Sequence, residues 1–121
     1  MSVDIITDVY PYINVNGNLQ EKESFIEGLK ITVRLLDKED VADRNLPKRT
    51  TGVVITKIEK DSPINYLQVN DVIVEAQKKK INTIGDLDNI VKIALRSEEK
   101  TLLIAIYNNQ NQRTYIGVKL N

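Results

Sequence analysis

Apolar and polar residues alternate most regularly in GLKITVRLL, where Leu29, Ile31, Val33 and Leu35 fall on one face and Lys30, Thr32 and Arg34 on the other. That period of two predicts a half-buried strand over Leu29–Leu35. The pattern then changes. In DKEDVADRNLPK, Asp37 suits an N-cap, acids fill the first turn and Pro47 stops the run, which predicts a short helix from about Lys38 to Asn45. GVVITKIE (Gly52–Glu59) and DVIVEAQ (Asp71–Gln77) are β-branched runs and read as two further strands. Between them, Ser62 and Pro63 suit the cap and first position of a one-turn helix. TIGDLDNIVKIALRSEE gives the clearest helix: Thr83 and Asp86 form a capping-box pair, and Leu87, Ile90, Val91, Ala94 and Leu95 keep helical spacing. This stripe is wider than one core contact needs. KTLLIAIYNNQNQRTYIGVKL predicts two strands, Thr101–Tyr107 and Arg113–Leu120, joined by a polar turn. In residues 1–24, Ile13, Val15 and Leu19 alternate with asparagines around an Asn16-Gly17 turn signal, which fits an extra hairpin and equally a structured linker.

Composition restricts what such a chain can do. At 121 residues it has the size of one domain with a short tail, and no repeat or low-complexity tract marks a second. The 17 basic and 17 acidic side chains cancel, so no global field favours nucleic acid or acidic lipid. Apolar runs such as GVVIT and LLIAI fall far short of the ~20 residues of a spanning helix. MSVDIITDVYPY has no basic region followed by an apolar stretch, so no signal peptide is expected there. The chain has no cysteine and no histidine. Disulfides, thiolate nucleophiles, Cys- or His-based metal sites and a Ser-His-Asp triad are therefore excluded within these residues. Catalysis would fall to carboxylates, lysine or tyrosine, and no two acids lie where a cleft is predicted. Asp37, Glu39, Asp40 and Asp43 lack the glycine and terminal glutamate of a calcium loop and read as caps. Lys78-Lys79-Lys80 reads as a solvated hairpin turn, and the five tyrosines are too scattered to form a stacking platform. No catalytic residue, metal or cofactor is expected.

The order and spacing of these pieces carry a resemblance. Gly52-Val53-Val54-Ile55-Thr56, then Ser62-Pro63, then Leu67 with Asp71-Val72-Ile73, then Thr83 with Asp86-Leu87 is similar to a PDZ domain. The closest resemblance is to the second, C-terminal PDZ module of the HtrA/DegP family of periplasmic serine proteases. It covers about residues 25–120. The resemblance implies an α+β fold: a partly open β-barrel or sandwich of five to six strands with two to three helices, in the permuted bacterial strand order. Residues 1–24 would be a linker or extra hairpin and 25–121 the domain. Three departures stand out. The segment from Pro63 to Leu67 is about two residues short, which should clip the short helix expected there. Asn70 replaces a usual glycine, and Gln77-Lys78 replaces an Asn-Gly turn, at a cost of roughly 1 kcal/mol if Lys78 is left-handed.

In function, the resemblance implies a non-catalytic interaction module. It would bind an extended peptide or protein C-terminus by strand addition, or neighbouring protease and PDZ domains during oligomer assembly. A module of another envelope protease, such as a site-2 metalloprotease or C-terminal processing peptidase, or of a secretion component, is the alternative. Location in the periplasm or cell envelope and a role in protein quality control are implied by the resemblance alone. The loop that would receive a terminal carboxylate aligns as Ile26-Glu27-Gly28-Leu29, after Phe25, with Lys30 and Ile31 starting the docking strand and Ile90 and Ala94 on the flanking helix. Glu27 stands where an apolar residue is usual. A second carboxylate within ~5 Å would be repelled by about 3 kcal/mol at an effective dielectric near 20, before screening. Weak capture of free C-termini is therefore expected, through a strand border left vacant between Leu29 and Val33.

Overall fold

The computed structural model describes residues 22–120, so the hairpin or linker expected over 1–24 lies almost entirely outside them. Seven strands and two helices follow in the order β1 (Glu23–Ile26), β2 (Ile31–Leu35), α1 (Lys38–Asp43), β3 (Val53–Ile58), β4 (Val72–Ala76), β5 (Lys79–Lys80), α2 (Ile84–Arg96), β6 (Thr101–Tyr107) and β7 (Arg113–Lys119). All pairings are antiparallel, and the sheet runs β1-β2-β3-β4-β6-β7 with β5 attached to β4. Two of these strands are additions to the expected five or six. β1 starts two residues before the expected domain boundary, and β5 is the return limb of a tight hairpin.

The uninterrupted apolar runs in β3 and β4 arise because both faces of these strands are buried. Val53, Ile55 and Ile73 belong to the main cluster, together with Leu87, Val91 and Ala94 of α2. Their neighbours Val54, Val72 and Val74 point the other way, into a smaller cluster with Leu36, Leu46 and Ala105. Gly52 makes this packing possible: it sits at φ 156°, and a Cβ there would collide with the Ile73 carbonyl.

Both helices are capped as their sequences direct. Thr83 accepts from the Asp86 N–H at 3.1 Å and the Asp86 carboxylate accepts from the Thr83 N–H at 3.0 Å. Asp37 and Asp40 form the same reciprocal pair at α1, which ends at Asp43 rather than at Asn45. α1 buries none of its residues. It is held instead by Arg34, whose guanidinium grips both Asp40 oxygens at 2.7 and 2.9 Å. The one-turn helix expected after Ser62 does not form. Separate turns replace it, with Asn65 N–H donating to the Ser62 carbonyl and Leu67 N–H to that of Ile64. The shortened segment must place Ile64 in the core and turn at once into the Gln68–Asp71 loop. Asp71 ties that loop by accepting from the Gln68 N–H at 3.0 Å, although burial raises its carboxyl above the ordinary value.

The positions singled out as departures from glycine or an Asn-Gly turn are left-handed, Asn70 (φ 81°), Gln77 (φ 53°) and Lys78 (φ 67°), among seven non-glycine residues with positive φ in the described residues. Gln77 and Lys78 are the two-residue loop between Ala76 and Lys79, a geometry that favours Asn-Gly. Gln77 offsets its strain, because its side chain donates to the Thr101 carbonyl and accepts from the Leu103 N–H. The Lys78 side chain is exposed. Replacing Lys78→Gly should therefore raise stability by roughly 1 kcal/mol and the melting temperature by about 4–8 °C, read by thermal denaturation.

The Arg34 hydrogen bonds hold the Asp40 carboxyl down at about 2, against an ordinary 3.8. A depressed folded-state value means the contribution is complete above about pH 4 and disappears as the pH falls through 2. Asp40→Asn should cost about 2 kcal/mol at pH 6, with the gap to the parent closing toward pH 2 in urea melts. A constant gap would show that Asp40 acts as a helix cap alone.

Candidate functional site

The residues expected to receive a peptide lie in the hairpin formed by β1, the turn Glu27–Lys30 and β2, against the side of α2. Hairpin pairing runs from Glu23 opposite Arg34 to Ile26 opposite Ile31. The border of Ile31–Val33 is thus not vacant: the chain's own residues 24–26 are paired along it. This corrects the expectation of an open docking strand. Its physical reason is that Ser24-Phe25-Ile26 can return antiparallel through a four-residue turn and bury Ile26, leaving 1% of it exposed.

The turn satisfies its own polar groups. Leu29 and Lys30 N–H donate to the Ile26 carbonyl at 3.1 and 2.7 Å, and Lys30 takes a left-handed φ of 53° to do so. The Lys30 carbonyl accepts from the Glu59 N–H at 3.0 Å, and the Leu29 carbonyl from the Ser62 hydroxyl at 2.6 Å. Ser62 is itself 3% exposed and accepts from the Ile64 N–H. Ser62 thus works as a tie between hairpin and loop, a role its reading as a helix cap only partly anticipated.

Gly28 is the contact with α2. A Cβ at this position would run into the side chains of Val91 and Leu95, so only glycine lets the turn lie on the helix. Of the other expected site residues, Ile26, Leu29, Ile31 and Ala94 are core residues and Ile90 is half-buried against that core. Glu27 and Lys30 are the exposed ones. The Lys30 ammonium is paired with Asp61 at 2.6 Å and keeps the Asp61 carboxyl below its ordinary value. Around the turn, then, Lys30 is engaged by Asp61 rather than set against Glu27. Phe25, 52% exposed on β1, and Ile93, 66% exposed on α2, are the large apolar side chains displayed nearby. Sequence reading missed β1, whose four residues are too few and too polar for a period to emerge. Its available signal was the pair of β-prone stretches S-F-I and I-T-V separated by a glycine-containing turn.

With this geometry the chain can be set beside known proteins. No protein-family model and no curated protein matches it. Among solved structures, it is similar to the HtrA-type protease AlgW with decapeptide, at 21% identity and a TM-score of 0.59 over 77% of this chain and 28% of that one. A point variant of AlgW with decapeptide gives a TM-score of 0.61 at the same identity and coverage. The fold is PDZ-like. At this identity the likeness establishes architecture, and the match spans little more than a quarter of the AlgW chain. Among the described residues no helix is long and apolar enough to cross a membrane, and no group of three or more acidic side chains is placed to hold a metal ion.

The close approach at Gly28 yields a direct test of how the turn is held. Gly28→Ala should destabilise the domain by about 1–3 kcal/mol through overpacking. Val91→Ala in the same chain should restore part of that loss, measured by urea denaturation of the two single variants and the double. Strict additivity would show that the turn does not rest on α2.

Proposed function

We propose that this chain is a non-catalytic protein-interaction module of an HtrA-like serine protease of the cell envelope, acting in assembly or in positioning of a partner rather than in capturing free C-termini. The observation that carries the reading is the closed turn. The N–H groups of Leu29 and Lys30, which the aligned loop would direct at a terminal carboxylate, are spent on the Ile26 carbonyl. Glu27 adds exposed negative charge beside them. Among the described residues the sheet ends one strand further out, on β1, with Phe25 displayed on it. Strand addition there uses main-chain hydrogen bonds and needs no carboxylate. The PDZ-like fold, shared with a protease solved with a decapeptide, supports a peptide-engaging role. With no histidine and no cysteine in 121 residues, any proteolytic triad would belong to another part of the assembly.

Paired peptides differing only in a free or amidated C-terminus distinguish the two modes. Both should bind weakly and equally, no tighter than high micromolar, with amide exchange slowed over Glu23–Ile26. The isolated chain should leave casein uncleaved. A free C-terminus preferred by about tenfold or more would return the carboxylate to the Glu27–Lys30 turn.

A further inference from the structure

On the sheet face opposite α2, the described residues cover the smaller apolar cluster incompletely. A cavity of about 790 Å³ opens between α1 and the loop of residues 46–51. Leu35, Leu36, Val41 and Leu46 contribute its apolar surface, and Lys38, Lys48 and Arg49 its charged rim. α1 is held by its caps and by Arg34, and its Val41 packs only half-buried on the cluster beneath, leaving space beside it. None of the eight residues of the hairpin site lines it.

The rim is lopsided. Lys38, Lys48 and Arg49 make no ion pair among the described residues. The single carboxylate lining the cavity, Asp37, is already accepting the Asp40 N–H at 2.8 Å. In a chain whose charges cancel overall, three cations against one carboxylate around a single apolar hollow leave a local excess of positive charge. Leu36 and Leu46 are recessed, at 8% and 7% exposure, so the apolar surface is offered to an inserted side chain rather than to a flat lipid surface.

We propose that this cavity docks an acidic segment of a partner protein. Adjacent bulky apolar side chains enter the hollow and flanking carboxylates meet Lys38, Lys48 and Arg49. An apolar anchor inside a charged ring supplies affinity at the centre and register at the rim. This surface lies apart from the β1 edge, so both could be occupied together.

The probe is an N-acetylated, C-amidated hexapeptide, Glu-Asp-Leu-Phe-Asp-Glu, carrying a fluorophore and titrated onto the full 121-residue chain by anisotropy. Saturable binding is expected, weakened roughly tenfold when Leu-Phe becomes Ser-Ser, when the acids become amides, or by combined Lys48→Glu and Arg49→Glu. Leu35→Ser should weaken it similarly, with melting temperatures confirming that each variant is folded. Phe25→Asp on the β1 edge should leave binding unchanged. No saturation at millimolar peptide, indifference to the charge reversals, loss through Phe25→Asp, or preference for phosphatidylserine vesicles over the peptide would each overturn the proposal.

Discussion

One carbonyl organises the end of the sheet. By accepting from both Leu29 and Lys30, the Ile26 C=O closes the hairpin that lays β1 along β2. It thereby engages the Leu29 and Lys30 donors and the Ile31–Val33 border within the chain itself. The closure depends in turn on Gly28, whose missing Cβ lets Val91 and Leu95 rest against the turn, and on Ser62, which binds the Leu29 carbonyl from the other side. Undoing it would leave several buried polar groups without partners at once. That shared cost is why the turn behaves as a structural joint, and among the described residues β1 is the outermost strand on this side of the sheet.

The two faces of the sheet are unequal in a way that follows from helix length. α2 spans 13 residues and contributes Leu87, Val91 and Ala94 to a large cluster, so its face is sealed by packing. α1 spans six residues and buries none, so its face is held by directional contacts and stays partly hollow. Packing seals one side, whereas on the other the packing of Val41 on the smaller cluster is joined by charge-assisted hydrogen bonding. The cohesion of the α1 side is accordingly the more sensitive to pH, through Asp40.

Much of the architecture was legible in the chain. Val53–Ile58, Val72–Ala76, Thr101–Tyr107 and Arg113–Lys119 lie within the stretches their β-branched and alternating residues indicate. Thr83 with Asp86 and Asp37 as a cap mark the helix starts as read, because capping is a local reaction between residues three apart. The left-handed positions at Asn70 and Lys78 were visible as departures from glycine in the resembling family. The candidate site was less legible. β1 carries no period in four residues, and its pairing rests on a turn whose geometry is fixed by α2, some sixty residues away in sequence. The segment after Ser62 has good local signals for a helical turn, overridden by the need to bury Ile64 and reach the Asp71 loop.

What the sequence determined by itself is both helices, the five longer strands and the exclusion of the chemistry that histidine and cysteine would have supplied: alternation, capping pairs and composition act within a few residues or by mere presence. Tertiary structure alone decided which strand border is already paired, which N–H groups are already bound, and that three cations without an ion pair among the described residues share one hollow with a single carboxylate. These depend on which groups meet across the fold, and a hydrogen bond once made inside the chain is unavailable to a partner.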